Sequence, residues 1–244
     1  MTIHGIVKAD EVASDLGYPP RYCPKSIDLQ SRLLLEIFPS LPKSGRKRTA
    51  ENQIPDGAEA WYVVPRWDKI APTYADAVEK VFDLLSRAHG GKFVNFLDVY
   101  LSALYIQERP EKIAALKVIQ KQNDGGLLQL VPAQFGLRHR GRSTKGTRQG
   151  MLPNEFGLGA FEAGIMLLTH PERLKGKDIL FVNCPGDVYY SPYVQAADAQ
   201  HDRTLVFHSA GKGHDGIAVS SYAFDGTSEY LGPTTFFVPE PSER

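Results

Sequence analysis

Apolar residues recur along this chain with two different spacings, and the change from one to the other falls near Gly126. Before that point the spacing is helical. Leu29, Leu33, Leu34, Ile37 and Phe38 predict a short helix over Asp28 to Phe38, stopped by Pro39 and Pro42. Trp61 to Val64 is a brief apolar run that suits a strand. Val78, Val81, Phe82 and Leu85 then fall at i, i+3, i+4 and i+7, and Thr73 stands three residues before Asp76. That pairing predicts a capping box, with the hydroxyl accepting from the Asp76 amide and the carboxylate reaching back to the Thr73 amide. Gly90 and Gly91 supply the stop. Phe93, Phe96, Leu97, Tyr100, Leu101 and Leu104 continue the same spacing as a second helix. Pro110, Ile113, Leu116 and Ile119, closed by Asp124-Gly125-Gly126, make a third. Consecutive helices joined by short turns pack as antiparallel neighbours.

Beyond Gly126 the apolar runs shorten. Leu127 to Val131, Ile179 to Val182, Leu205 to Phe207, Ile217 to Phe224 and Thr234 to Val238 read as strands, with Asp225-Gly226 as a hairpin signal. Between them, Phe156 to Leu168 reads as a helix whose small residues permit close packing. Helices first and strands later argue for α+β: an N-terminal helical half packed on a largely antiparallel C-terminal sheet. Residues 1–57 read as an arm with a short helix and a mobile basic loop, and residues 58–244 as a single α+β globular domain.

Composition narrows the class. With 244 residues, 42% of them hydrophobic, and 28 Lys and Arg against 28 Asp and Glu, the chain is neither disordered throughout nor collagen-like. Two cysteines, Cys23 and Cys184, build no disulfide framework. The first residues lack the pattern of a secretory signal, and the most apolar window, Phe156 to Leu168, is too short for a membrane span. A cytoplasmic protein with no membrane contact is the expectation.

The net charge of zero is a sum over unlike segments. Residues 1–124 carry +1, residues 125–148 carry +5 with no acid, and residues 149–244 carry −6. The basic island holds Arg138, Arg140, Arg142, Lys145 and Arg148 among glycines and hydroxyl side chains. Planar guanidinium forks and free backbone amides in such a loop match phosphate oxygens. The leading expectation is therefore a polyanion-binding protein whose partner is nucleic acid or a phosphorylated small molecule, with Lys43, Arg46, Lys47 and Arg48 assisting. Internal pairing with the acidic C-terminal third is its rival.

Two further functional readings come from the same region. Arg138-His139-Arg140-Gly141-Arg142 is similar to the Arg-His-Gly signature of histidine phosphatases, and His214-Asp215 resembles a later His-Asp pair of that superfamily. The resemblance implies a phosphoryl-transfer enzyme with His139 as nucleophile and His214 or Asp215 as its partner. An extra arginine separates His139 from Gly141, and the motif lies mid-chain behind the helices. The other reading is an interaction module in which the basic loop meets an acidic partner or a second copy of the chain.

Other motifs fail on context. Gly211-Lys-Gly213-His-Asp-Gly216 fits a dinucleotide fingerprint by letter, but the residues after it are strand-like where the chemistry needs a helix N-terminus. Gly141 to Thr147 lacks the lysine that must follow the second glycine of a phosphate-binding loop. His201, Asp202, His208, His214 and Asp215, with Asp187, share one β-rich region without a metal-ligand spacing, so neither a metal nor a cofactor is expected. Cys184, at the end of a predicted strand, reads as buried.

A longer likeness runs from about residue 55 to 185. It rests on Pro65 to Tyr74, Val131 to Ser143, Asn154 to Phe161 and Met166 to Leu174. These stretches resemble a family of uncharacterised bacterial proteins. The resemblance implies a bacterial, cytoplasmic setting and carries over no site residue.

Overall fold

A computed structural model describes residues 10–41, 53–97, 100–191, 203–210 and 216–240. The fold is α+β. In chain order its elements are α1 (Ile27–Ile37), β1 (Ala60–Pro65), α2 (Tyr74–Ala88), β2 (Phe93–Asn95), β3 (Ile106–Glu108), α3 (Pro110–Gln122), β4 (Leu128–Gln134) and α4 (Thr144–Gly150). They continue with β5 (Glu155–Gly157), α5 (Ala160–Thr169), β6 (Val182–Asn183), β7 (Asp187–Tyr189), β8 (Arg203–Ser209), β9 (Ile217–Ala223) and β10 (Thr235–Phe237).

The strands form two sheets. One runs β1-β4-β10-β5, antiparallel at every pairing. The other runs β2-β9-β8-β7-β3, with β6 also on β8, and only its β2–β9 pair is parallel. Helix α5 is buried at every residue and touches α2, β1 and α1. A helix apolar on all sides belongs in a core, and this one fills it. Gly164 lets it close on α2, because a Cβ there would strike the Val81 side chain.

Four expectations are corrected. Phe93 to Leu104 is not a helix. Gly90 and Gly91, both at positive φ, turn the chain sharply, and Phe93 to Asn95 pairs with Ile217 to Val219. Residues 155–157 form strand β5 before α5 begins, because Gly159 and Glu162 cap the helix three residues later than its apolar run suggests. Asp225-Gly226 makes a turn but no hairpin, since β9 pairs with β8 and β10 lies in the other sheet. The Thr73 cap is also altered: its hydroxyl accepts from the Asp76 amide at 3.1 Å and donates to the Asp76 carboxylate at 2.7 Å, so the carboxylate meets the hydroxyl and not the amide.

Residues 10–41 pack against the sheets through specific polar contacts. Tyr18 donates to Glu59 at 2.5 Å, and Tyr22 and Tyr62 share a hydrogen bond of 2.6 Å. The Lys25 amide donates to His170 Nε2 at 3.0 Å, while His170 Nδ1 faces the Met166 carbonyl at 3.1 Å. Burial and the nearby Lys25 charge push this histidine down to about 4, so it is neutral. Gln30, fully buried on α1, receives the Val63 amide at 2.9 Å and donates to the Trp61 carbonyl at 3.0 Å. These are the groups that β1 turns away from β4, so the glutamine amide takes the place of a neighbouring strand.

Candidate functional site

The structure scatters the basic island onto internal acceptors. Arg138 Nε donates to Glu155 at 3.1 Å, Arg140 to the Leu16 carbonyl at 3.3 Å, and Arg142 Nε to Glu11 at 2.9 Å. Lys145 stands 3.5 Å from Asp10. Arg148 grips the Pro185 carbonyl with two N–H groups at 3.1 and 2.7 Å, reaches the Asp187 carbonyl, and lies over the Phe224 ring. Two of the three carboxylates involved, Asp10 and Glu11, come from the N-terminal segment, whose pairing with the loop was not foreseen.

His139 is 2% exposed, with Nε2 at 2.7 Å from Glu155. Glu155 also accepts from Thr235 at 2.6 Å and from the Leu152 amide at 3.1 Å. Burial alone would raise this carboxyl, but the hydrogen bonds from His139 and Thr235 outweigh it and hold the group down to about 2. A histidine sealed in this way presents no open face to a phosphoryl group. His214 and Asp215 lie outside the described residues, as do His201, Asp202, Lys43, Arg46, Lys47 and Arg48. Among the described residues no group of three or more His, Cys, Asp or Glu is placed to hold a metal ion, and no helix is long and apolar enough to cross a membrane.

Beneath the N-terminus of α5 lies a buried ionic network. Lys112 Nζ is 3.1 Å from Glu108, 3.0 Å from Glu162 and 3.0 Å from Asp187, and donates to the Tyr74 hydroxyl oxygen, a fourth neighbour, at 3.0 Å. Tyr74 donates to Asp187 at 2.6 Å, and the Ala160 amide donates to the same carboxylate oxygen at 2.6 Å. The Gly159 amide completes the set by donating to Glu162 at 3.1 Å. Gly159 is required here, because a Cβ would fall among Lys112, Tyr74 and Asp187. Three carboxylates around one ammonium leave an excess of negative charge. The helix N-terminus offsets part of it. Glu108 takes the rest: burial drives its pKa up, Lys112 opposes, and Glu162 and Asp187 add to the rise, bringing it to about 7. The network joins α2, β3, α3, α5 and β7, and its atoms are turned toward one another.

The other face of the second sheet is different. Strand alternation puts Leu205 and Phe207 of β8 on the core side, where Phe207 meets Phe82 of α2, and leaves Val206 and His208 on the opposite side. There His208 lies parallel to Phe96 with centroids 6.1 Å apart, and Phe181 stands 5.1 Å from His208 and 5.2 Å from Tyr230. The row of four rings lines an open cleft of about 320 Å³ together with Asp178, Ile179, Ser209 and Ala210. Phe96 is 56% exposed. His208 Nδ1 is 2.9 Å from the Ser209 carbonyl, which can only accept, so Nδ1 carries the proton and Nε2 of the neutral ring is an acceptor.

Of the cleft residues, only His208 stood out in the sequence. Phe96 falls in the stretch whose spacing predicts a helix and which forms a short strand and a turn, and Phe181, Tyr230, Asp178 and Ser209 carry no signal because only tertiary contacts, such as the Phe181 amide to the Tyr230 carbonyl at 2.7 Å, bring them together.

No protein-family model matches the chain, and no curated protein or solved structure is similar to it. That finding corrects the resemblance to a bacterial family and removes the setting it implied. The nucleic-acid and phosphate-binding character attached to the 138–148 loop is corrected with it: no relative supports it, and each of the five cations is engaged within the protein.

Proposed function

We propose that this is a binding protein that holds a compact ring-bearing ligand in the cleft formed by Phe96, His208, Phe181 and Tyr230. The observation that carries this reading is a row of aromatic rings kept open to solvent on a sheet face whose other side is fully packed. Ligand sites are concave, mostly apolar and furnished with a few polar groups, and about 300 Å³ is enough for one or two fused rings. Aromatic side chains gain most from offset or edge contacts with another ring, worth about 0.5–1.5 kcal/mol beyond the area buried. The polar groups around the rings orient a ligand and do no evident covalent chemistry, since His208 bonds the Ser209 carbonyl and not its hydroxyl.

The test is an NMR screen of ring fragments against protein labelled in its Phe, His and Tyr side chains. Binding fragments are expected to shift Phe96, Phe181, His208 and Tyr230 together and to lose their effect in Phe96→Ser/Tyr230→Ser. Hits that leave these rings unmoved, or that persist in the double variant, overturn the proposal.

A further inference from the structure

Building on the ring-binding reading, we infer that the cleft selects a flat cation of the amidinium or guanidinium type. The groups that surround the rings favour such a cation. Asp178 brings a carboxylate to the edge, and the fixed tautomer of His208 offers a lone pair at Nε2. Ser209 and Tyr230 add hydroxyls, each able to accept. Among the described residues that line the cleft there is no lysine or arginine. Lys175 and Lys177 precede Asp178 in its turn but form no part of the lining.

This combination discriminates between ligand classes. Aromatic faces carry negative potential and attract organic cations, guanidinium most readily because it is flat and weakly hydrated. A carboxylate accepts two parallel N–H bonds from an amidinium or guanidinium group, which a neutral amide matches only in part. An anionic ring meets the same carboxylate as repulsion, with no cation among the described lining residues to relieve it. The cationic group can sit on a free aromatic molecule or on an arginine side chain, since both present the same planar donor set.

An isosteric series reads the inference directly. Benzamidine, benzamide and benzoate share one ring and differ in charge, and their Kd values are measured by NMR titration on the full chain. Benzamidine is expected to bind about fivefold more tightly than benzamide, in line with one exposed cation–π contact and one carboxylate. Benzoate is expected to be weaker than both. In Asp178→Asn the benzamidine advantage should shrink to about twofold, and Phe96→Ser should weaken all three. Asp178 occupies a left-handed backbone position (φ 53) that asparagine also tolerates, so this variant keeps the turn. Titration with blocked arginine in parallel separates the two sources: a shift of the same rings at comparable concentration favours a side-chain ligand, and benzamidine alone a free one. Equal binding of the three ring compounds, or an Asp178→Asn variant that keeps the full ratio, overturns the cation assignment while leaving the ring reading standing. If neither these compounds nor any other fragment moves the four rings, both fail.

Discussion

Lys112 is a charge in the interior and Phe96 is an aromatic ring in water, so each sits where its chemistry is disfavoured, and the fold treats the two cases in opposite ways. Around Lys112 the protein supplies a partner for every donor and acceptor: three carboxylates, a phenol and two backbone amides meet within about one side chain's length. Around Phe96 it supplies more rings and then stops, leaving the row open. A buried polar cluster that is fully satisfied explains itself as architecture, because removing any member leaves its partners stranded. An exposed apolar row has no such internal account. The ligand proposed above would supply one.

The sharpest way to break this contrast is Asp187→Ala. It strands Lys112, the Tyr74 hydroxyl and the Ala160 amide together, and a loss of about 3–5 kcal/mol in denaturant unfolding is expected. A loss under about 1 kcal/mol would mean that the network is not the structural tie described above.

A second test uses pH. Folding carries Glu108 from 4.5 up to about 7, so the folded state binds the extra proton and this contribution to stability falls as pH rises between those values. Folding carries His170 from 6.5 down to about 4, so the unfolded chain binds the extra proton and this contribution rises with pH across nearly the same window. These two contributions should therefore largely cancel between about 4.5 and 6.5, with Glu155 adding a decline as the solution is acidified below about 4.5. Glu108→Gln should unmask a rising profile and His170→Gln a falling one, each spanning at most about 3 kcal/mol in urea midpoints converted to free energy. Flat profiles in both variants would refute the opposed titrations.

Next in size is Gln30→Leu, which keeps the volume and removes both hydrogen bonds to β1. Two stranded backbone groups should cost about 1–3 kcal/mol and raise amide exchange at Val63. The smallest effect on stability belongs to the cleft: Phe96→Ser should change the unfolding free energy by no more than about 0.5 kcal/mol while weakening fragment binding. If Phe96→Ser destabilises as much as Gln30→Leu, the ring is part of the core and the contrast dissolves.

How far the sequence could be read follows from the same distinction. Helix α2 was legible because periodicity, cap and stop agree over fifteen residues, and Val78, Val81, Phe82 and Leu85 are all buried as expected. Helix α3 was legible in extent but not in orientation. The expected face of Ile113, Leu116 and Ile119 is turned so that Lys112, Ala115 and Ile119 are innermost, because Glu108 four residues back and the distant Glu162 and Asp187 together hold the lysine inward. Phe93 to Leu104 misled because a short strand, a turn and a loop together imitate helical spacing, and pairing with a strand more than a hundred residues later overrides local pattern. The α+β class survived these errors since it depends on the order of elements and not on any one of them. The basic island was visible as composition, yet its partners Asp10, Glu11 and Glu155 are fixed by tertiary contact and leave no mark on spacing. The cleft was hidden for a related reason: its rings come from four separate stretches of chain, brought together by the pairing of β2 with β9, of β9 and β6 with β8, and by the Phe181 amide donating to the Tyr230 carbonyl.

The glutamine on α1 has a consequence for self-assembly. A sheet that ends in an open strand offers a template to any extended chain, and proteins commonly guard such edges with charge, proline or a covering loop. Here the guard is a single amide that copies the hydrogen bonding of one peptide unit, delivered by a helix some thirty residues upstream of the strand it covers. The segment that carries Gln30 thus works as a terminator for the first sheet. Without it, β1 would expose a six-residue apolar edge ready to accept a strand from another molecule.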